Sequence, residues 1–338
     1  MRAMVLHEHG GLEKLVYEPH YRAPVAGAGD VLLRMRACAL NYHDVFTRRG
    51  MPGIKVPLPL ILGNDLAGEI AAVGPAVAGF APGERVLVDP IDRVAGGFLG
   101  DTMDGGLAEL VRVPAHMLVK LDPAIDFAEA AALPVAYGTA HRMMLARGRI
   151  KPGETVLILG ASGGVGTCCV QLAKQAGATV VACASSEEKL AHLKALGADI
   201  GINYADTDWV AECRRRFGRP HVLGRKDSGG IDVVVNFNGG DSWTKSLKVL
   251  RRGGRLLTCG ATAGYDPPED IRYIWTFELN ILGSNGWTRE DIIALLDLVR
   301  SRRLQPVLHP RRFELAETRD AMALLEQRAM VGKVIVAS

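Results

Sequence analysis

The chain has 338 residues, more than one hydrophobic core usually serves, so two domains are expected. Hydrophobic residues make up 48% and charged residues 23%, an ordinary globular balance, and a net charge of +3 gives no basis for nucleic acid as the partner. Residues 1–10 hold no apolar run of signal-peptide length, and the six cysteines (Cys38, Cys168, Cys169, Cys183, Cys213, Cys259) form no C-x-x-C pair. Free thiols, a cytoplasmic location and no membrane association are therefore expected.

Residues 1–125 are rich in Gly, Pro and Val and carry short alternating runs at 31–38, 66–73, 85–88 and 107–113, separated by turn signals such as Ala81-Pro-Gly83. This half reads as a largely antiparallel β domain. After Pro123 the rhythm changes to strand and helix in alternation. Helices are expected at 127–133, 136–147, 167–175, 187–196, 242–250 and 290–302, and strands at 156–159, 179–184, 231–236, 254–260, 279–283 and 332–336. Such alternation implies an α/β domain, a doubly wound parallel sheet with helices on both faces.

Within it, Val156-Leu-Ile-Leu-Gly160-Ala-Ser-Gly163-Gly164-Val-Gly166 is a buried strand, a glycine turn and a helix start, matching A-x-G-x-x-G. That combination forms a dinucleotide pyrophosphate cradle, in which the glycines let backbone approach the phosphates and the N–H groups of the first helical turn face them. Residues 155–173 carry no charge and approach transmembrane length, but their glycines suit a buried strand and turn. The second strand ends in Ala184-Ser185-Ser186, with no acidic residue to hold a ribose 2′-OH. Ser185 and Lys189 suit a 2′-phosphate, so NADP(H) is the expected cofactor. The alternative is a helix cap beside a solvated lysine, and Glu187 and Glu188 count against the phosphate. The basic run 214–226 reads as a solvated loop, with the phosphates of a CoA thioester as its other possible partner.

Beyond these local signals, the chain resembles the medium-chain dehydrogenase/reductase superfamily. The resemblance rests on Leu40-Asn-Tyr-His-Asp44, Leu62-Gly-Asn-Asp-Leu-Ala-Gly-Glu69, Pro82-Gly-Glu-Arg-Val86, Asp104-Gly-Gly-Leu-Ala-Glu109, Ala131-Ala-Leu-Pro134, the glycine loop, Leu196-Gly-Ala-Asp199 and Gly332-Lys-Val334. It implies a GroES-like catalytic domain from residues 1–125 and 288–338 and a Rossmann cofactor domain from residues 126–287. It also implies a homodimer or homotetramer, paired through the last Rossmann strand near 279–285. Zinc alcohol dehydrogenases of this superfamily hold their metal with a Cys where this chain has Asn41 and a His where it has Asn64; the third ligand comes from the region of Ala131. Asn is a poor zinc ligand, so no metal site is expected and the pattern looks like the zinc-independent quinone oxidoreductase and enone reductase branch. Further cofactor contacts implied by the resemblance are Ser162, Gly163, Gly164 and Val165 at the pyrophosphate, and Thr139, Tyr204, Gly260, Ala261, Thr262, Ser284, Asn285 and Lys333, the last beside the phosphates.

Without a metal, an activated double bond is an easier hydride acceptor than a plain ketone. Catalytic candidates are Asn41, to orient the nicotinamide or bond a carbonyl, and Tyr42 or His43, to donate a proton. The bland alternatives are core packing for Tyr42 and a surface pairing with Asp44 for His43. Related enoyl-thioester reductases use a Tyr just past the glycine matching Gly50, where this chain has Met51-Pro52. The expected function is NADPH-dependent hydride transfer to a small-molecule quinone or enone. An enoyl-CoA reductase of the acrylyl-CoA type, a zinc-independent alcohol dehydrogenase-like protein and a non-catalytic NADPH-binding protein remain open.

Overall fold

The computed structural model describes residues 1–50, 55–222 and 229–338; Met51, Pro52 and residues 223–226 of the basic run lie outside them. The chain divides into two units, Met1–Ala136 with Ile292–Ser338, and Tyr137–Asp291.

The first unit is built on a seven-stranded sheet whose central strand is Asp30–Ala39. Its inward side chains Val31, Leu33 and Met35 alternate into the core, as a half-buried strand requires. Asp30–Ala39 pairs antiparallel with Asp65–Val73 on one side and with the tail strand Lys333–Ala337 on the other. Register sets Ala39 opposite both Asp65 and Ile335. Three strands from distant parts of the sequence therefore end side by side, just where the chain turns into helix Tyr42–Arg49. A smaller sheet, Leu15–Glu18, Ala3–Leu6 and Leu60–Ile61, shares the same apolar core. Helix Phe127–Ala131 starts from an Asp126 cap on Ala128 N at 2.9 Å and buries Ala128, Ala130 and Ala131.

The second unit is a six-stranded, all-parallel sheet. The strand order is Ile200–Asn203, Thr179–Ala184, Thr155–Ile158, Ile231–Val235, Leu250–Thr258, Asn280–Gly283. That order reverses at Thr155–Ile158, the first strand, which is the switch point of a doubly wound dinucleotide fold. Thr155–Ile158 and Thr179–Ala184 are almost wholly buried, as near-continuous Val, Leu and Ala runs predict for parallel strands. The uncharged stretch 155–173 resolves into strand Thr155–Ile158 and helix Gly164–Gln175. Among the described residues no helix is long and apolar enough to cross a membrane.

Some elements depart from the sequence pattern. The helix expected at 242–250 spans Asp241–Leu247, because Leu250 pairs with Ile231 and opens the next strand. The basic run does not begin as a solvated loop. Arg214–Arg216 close helix Trp209–Phe217, which Asp208 caps at Val210 N and Ala211 N and which buries Trp209, Val210 and Cys213. Arg215 and Arg216 both pair with Glu212 on the same helix. With only three apolar anchors among nine residues, this helix gave a weak periodic signal.

The glycine loop is shaped by close approach. A Cβ on Gly166 would lie 2.5 Å from Gly160 O and 2.6 Å from Ala161 Cα, both backbone. Gly166→Ala is therefore expected to cost about 1–3 kcal/mol of stability by overpacking and to weaken dinucleotide binding. Urea unfolding and cofactor titration check this; an unchanged midpoint and affinity would show that the loop has slack.

Candidate functional site

In the second unit, Gly163 caps helix Gly164–Gln175 in extended conformation, and no side chain bonds the helix start. The N–H groups of Gly164, Val165 and Gly166 precede the first intrahelical bond, so they stand open at the positive end of a twelve-residue helix. Gly160, at φ +70°, makes the turn between the strand and Ala161. This cradle fits a pyrophosphate.

At the end of strand Thr179–Ala184, Lys189 Nζ donates to Ser185 Oγ at 3.2 Å. Ser186 Oγ meanwhile accepts from Lys189 N at 3.3 Å and starts helix Glu187–Ala195. Cap and cation thus coexist, and Glu187 and Glu188 face solvent. Tyr204 N donates to Ala184 O at 3.0 Å, which brings Tyr204, 44% exposed, to the same strand end. Ser185, Lys189 and Tyr204 are thereby grouped.

Farther along the sheet, Thr262 N donates to Phe237 O and Ala263 N to Asn238 O, which ties the Gly260–Ala261–Thr262 turn to the loop after Ile231–Val235. Ser284 N donates to Thr258 O at 2.9 Å, while Ser284 Oγ is buried with no partner. Asn285 beside it is exposed, and Thr139 is buried at the start of Thr139–His141. An open helix start and an orphaned serine hydroxyl fit a dinucleotide.

In the first unit, the three adjacent strand ends bring Asn41, Asp65 and Lys333 together. Lys333 Nζ donates to Leu40 O at 2.9 Å, to Asp65 Oδ2 at 3.2 Å, and to Asn41 Oδ1. Lys333 is 3% and Asp65 0% exposed. Asp65 also accepts from Asn41 Nδ2 at 2.9 Å and Val135 N at 2.9 Å. Burial pushes the Asp65 carboxyl up, against the pull of the Lys333 ammonium and these donors. All three ammonium hydrogens have acceptors in this cluster, so Lys333 is engaged here rather than presented to a phosphate. Asn41 donates one amide hydrogen to Asp65 and the other to Ala39 O at 3.3 Å, and its side chain faces the Asp44 N–H in the capping box that starts helix Tyr42–Arg49.

Asp44 lies behind this cluster, fully buried, accepting from Asn41 N at 2.7 Å and Gly63 N at 3.0 Å. The surface pairing of His43 with Asp44 therefore does not form. His43 Nε2 instead meets Asp101 Oδ2 at 2.8 Å, and its ring stands edge-on to Phe98. Tyr42 stands edge-on to Phe46 and packs on the core. Sequence reasoning missed Asp101, which sits in a loop with no local motif.

A dinucleotide cradle at the switch point of a doubly wound sheet, joined in one chain to a β-rich unit, defines a nicotinamide-type dehydrogenase or reductase. Residues 164–301 match the profile of the zinc-binding dehydrogenases, and residues 27–123 that of the alcohol dehydrogenase GroES-like domain. The chain is 32% identical, over 99% of its length and 79% of the relative's, to an NADPH-dependent alkenal/one oxidoreductase, chloroplastic, of Arabidopsis thaliana. It is 31% identical to a quinone oxidoreductase of Homo sapiens over 77% of this chain and 73% of that one. A solved NAD-dependent alcohol dehydrogenase superposes with a TM-score of 0.90 at 34% identity over 100% of both chains. The chain belongs to the medium-chain dehydrogenase/reductase superfamily, in its quinone oxidoreductase-like branch.

The zinc in the first profile's name does not fit the residues present. Asn41 is bonded to an ammonium, Asn64 Nδ2 donates to Leu99 O at 2.7 Å, and Ala131 is apolar and buried. Among the described residues no three His, Cys, Asp or Glu side chains converge as a metal would need.

Two outcomes are expected. Lys333→Met leaves Asp65 charged, buried and short of a donor, at a cost of about 3–5 kcal/mol. Lys333→Met with Asp65→Asn should recover part of that loss; strict additivity in urea unfolding would argue against coupling. Separately, burial pushes the Asp44 carboxyl up to about 6. A folded value above the unfolded one near 3.9 means protonation stabilises the fold. The wild type should therefore lose stability relative to Asp44→Asn as pH rises from about 4 to about 6, whereas parallel pH profiles would contradict it.

Proposed function

We propose that the protein is an NADPH-dependent reductase of α,β-unsaturated carbonyls and quinones that works without a metal. The observation that carries this reading is the closed Lys333–Asp65–Asn41 cluster. It holds its one cation fully engaged, so it offers no electrophile to the oxygen of an unactivated ketone or alcohol. An enone or quinone needs less help, because its own carbonyl takes up the charge. The similarity to alkenal/one and quinone oxidoreductases supports the same substrate class.

In this reading Ser162 and the backbone of Gly163, Gly164 and Val165 hold the pyrophosphate. Ser185, Lys189 and Tyr204 bind the 2′-phosphate. Thr139, Gly260, Ala261, Thr262, Ser284 and Asn285 receive the nicotinamide end, with Ser284 Oγ in need of a partner there. When bound, the cofactor supplies the hydride. Asn41 supports the site through its bonds to Asp65 and Lys333, and Tyr42 supports the helix by packing. His43, partly exposed, is the proton donor. An enoyl-CoA substrate has less support, because Arg215 and Arg216 are already paired with Glu212.

The test is steady-state NADPH oxidation with a small enone, a quinone, an enoyl-CoA and a saturated ketone. Turnover is expected with the first two and not with the last. Lys189→Ala should raise KM for NADPH by roughly tenfold, equivalent to about 1.4 kcal/mol, with little effect on NADH. A preference for NADH, or faster turnover of a saturated ketone or alcohol, would sink the reading.

A further inference from the structure

Among the described residues, His–carboxylate pairs occur at His7–Glu18, His43–Asp101, His116–Asp92 and His141–Asp291. Glu18 is 30% exposed, so water shares its charge. Asp92 is buried but also accepts Val94 N and Ala95 N, both at 2.9 Å, and so shapes a turn. Asp291 is buried but also accepts Thr288 N at 2.8 Å, where it fixes a helix start. Asp101 differs from all three. Its side chain is 8% exposed, its Oδ2 meets His43 Nε2, and its Oδ1 is buried with no partner. A buried carboxylate with a single donor is expensive and does nothing for the backbone around it. Among the described residues its carboxylate bonds the imidazole and no other group.

The fold holds this carboxylate in place with some care. Asp101 N and Thr102 N both donate to Phe98 O, and Phe98 N donates to Thr102 Oγ1 at 2.8 Å. Gly100, at φ +73°, lies so close to Gly63 that a Cβ would come within 2.9 Å of its backbone. Gly63 N is in turn bonded to Asp44, in the first turn of helix Tyr42–Arg49. The Asp101 turn is thus referenced, through Gly100, Gly63 and Asp44, to the helix turn that carries His43. Phe98 closes on the ring edge-on at 5.1 Å between centroids. The imidazole is clamped by carboxylate and aromatic together, with Nε2 directed at Asp101. Nδ1 has no protein partner among the described residues, and the side chain is 30% exposed.

We propose that Asp101 is a positioning residue that holds His43 as a ring-oriented proton donor, with Nδ1–H as the proton delivered to the reduced substrate. This deepens the reductase reading above and rests on it. Asp101 fixes which nitrogen faces outward and stabilises the positive ring, as a carboxylate does in imidazole–carboxylate pairs generally. Once the β-carbon has accepted hydride, the substrate is an enolate. The His43 Nδ1–H bond breaks and a C–H bond forms at the α-carbon from the enolate's electron pair. The carbonyl is restored, and neutral imidazole remains with its Nε2–H on Asp101. Water returns the proton to Nδ1. The charged groups that bear on this ring are Asp101 from the loop and Asp44 from its own helix, with Asp65 and Lys333 acting on Asp44 from behind.

The experiment uses the full chain with NADPH and an enone bearing one substituent at the α-carbon, in D2O. The wild type is expected to place deuterium at the α-carbon in one configuration. His43→Gln keeps a donor to Asp101 but has no proton to release. It should lose about 100-fold in kcat, scramble the α-configuration and flatten the alkaline limb of the pH–rate profile. Asp101→Asn should lose kcat and erode the stereoselectivity, with NADPH affinity unchanged by fluorescence titration. If Asp101→Asn does not fold by circular dichroism, His43→Gln decides alone. Wild-type rate, pH profile and configuration in a folded variant would overturn this proposal and leave the reductase reading standing. A wild type that reduces no enone or quinone would instead overturn that reading, and this one with it.

Discussion

The buried ammonium of Lys333 is the interaction on which the first unit turns. It joins the tail strand to the ends of two strands from the N-terminal part of the chain, and it does so with charge rather than apolar contact. A buried ion pair is weak as a source of net stability, because desolvation offsets most of the attraction. It is strong as a constraint, since any shift of the tail strand leaves Asp65 and Lys333 uncompensated. The antiparallel register that sets Ala39 opposite Asp65 and Ile335 is thus tied to one set of hydrogen bonds.

The same cluster decides what chemistry the polar end of this sheet can do. Asn41, Asp65 and Lys333 complete one another's hydrogen bonding almost fully, so the group is a support rather than a set of free reagents. An imidazole remains available nearby. The His43 ring is held from two sides and, among the described residues, open at one nitrogen, whereas Asn41, Asp44, Asp65 and Lys333 are buried and bonded. The second unit shows the complementary pattern. Its open groups are backbone N–H at a helix start and the Ser284 hydroxyl, both at the carboxyl edge of the sheet where doubly wound folds bind ligands.

How much of this was legible in the sequence follows from how local each signal is. The strand, glycine turn and helix at 155–175 could be read directly, because their requirements lie within one short segment. Ser185 and Lys189 stood out because they lie one helical turn apart, but their mutual contact appears only in the structure. Helix Trp209–Phe217 was missed because it buries few residues and carries an arginine run that resembles a loop. Lys333 was recognised as a meaningful position, but its contact with Asn41 is 292 residues away in sequence and depends on strand register. Asp101 and His43 lie 58 residues apart, joined by a turn that only the folded backbone defines. No periodicity or spacing encodes such a pair. The asparagines at 41 and 64 were visible in the sequence, whereas the ammonium bonded to Asn41 was not.

The central claim is the proposal that an electron-poor double bond takes hydride from NADPH and a proton from this chain's own side chains, with no metal. The most direct measurement is elemental analysis of the purified enzyme, combined with enone reduction by NADPH before and after exhaustive treatment with a chelator. The account predicts substoichiometric metal and the same turnover in both samples. Stoichiometric zinc, with activity lost on its removal and restored on its return, would contradict it.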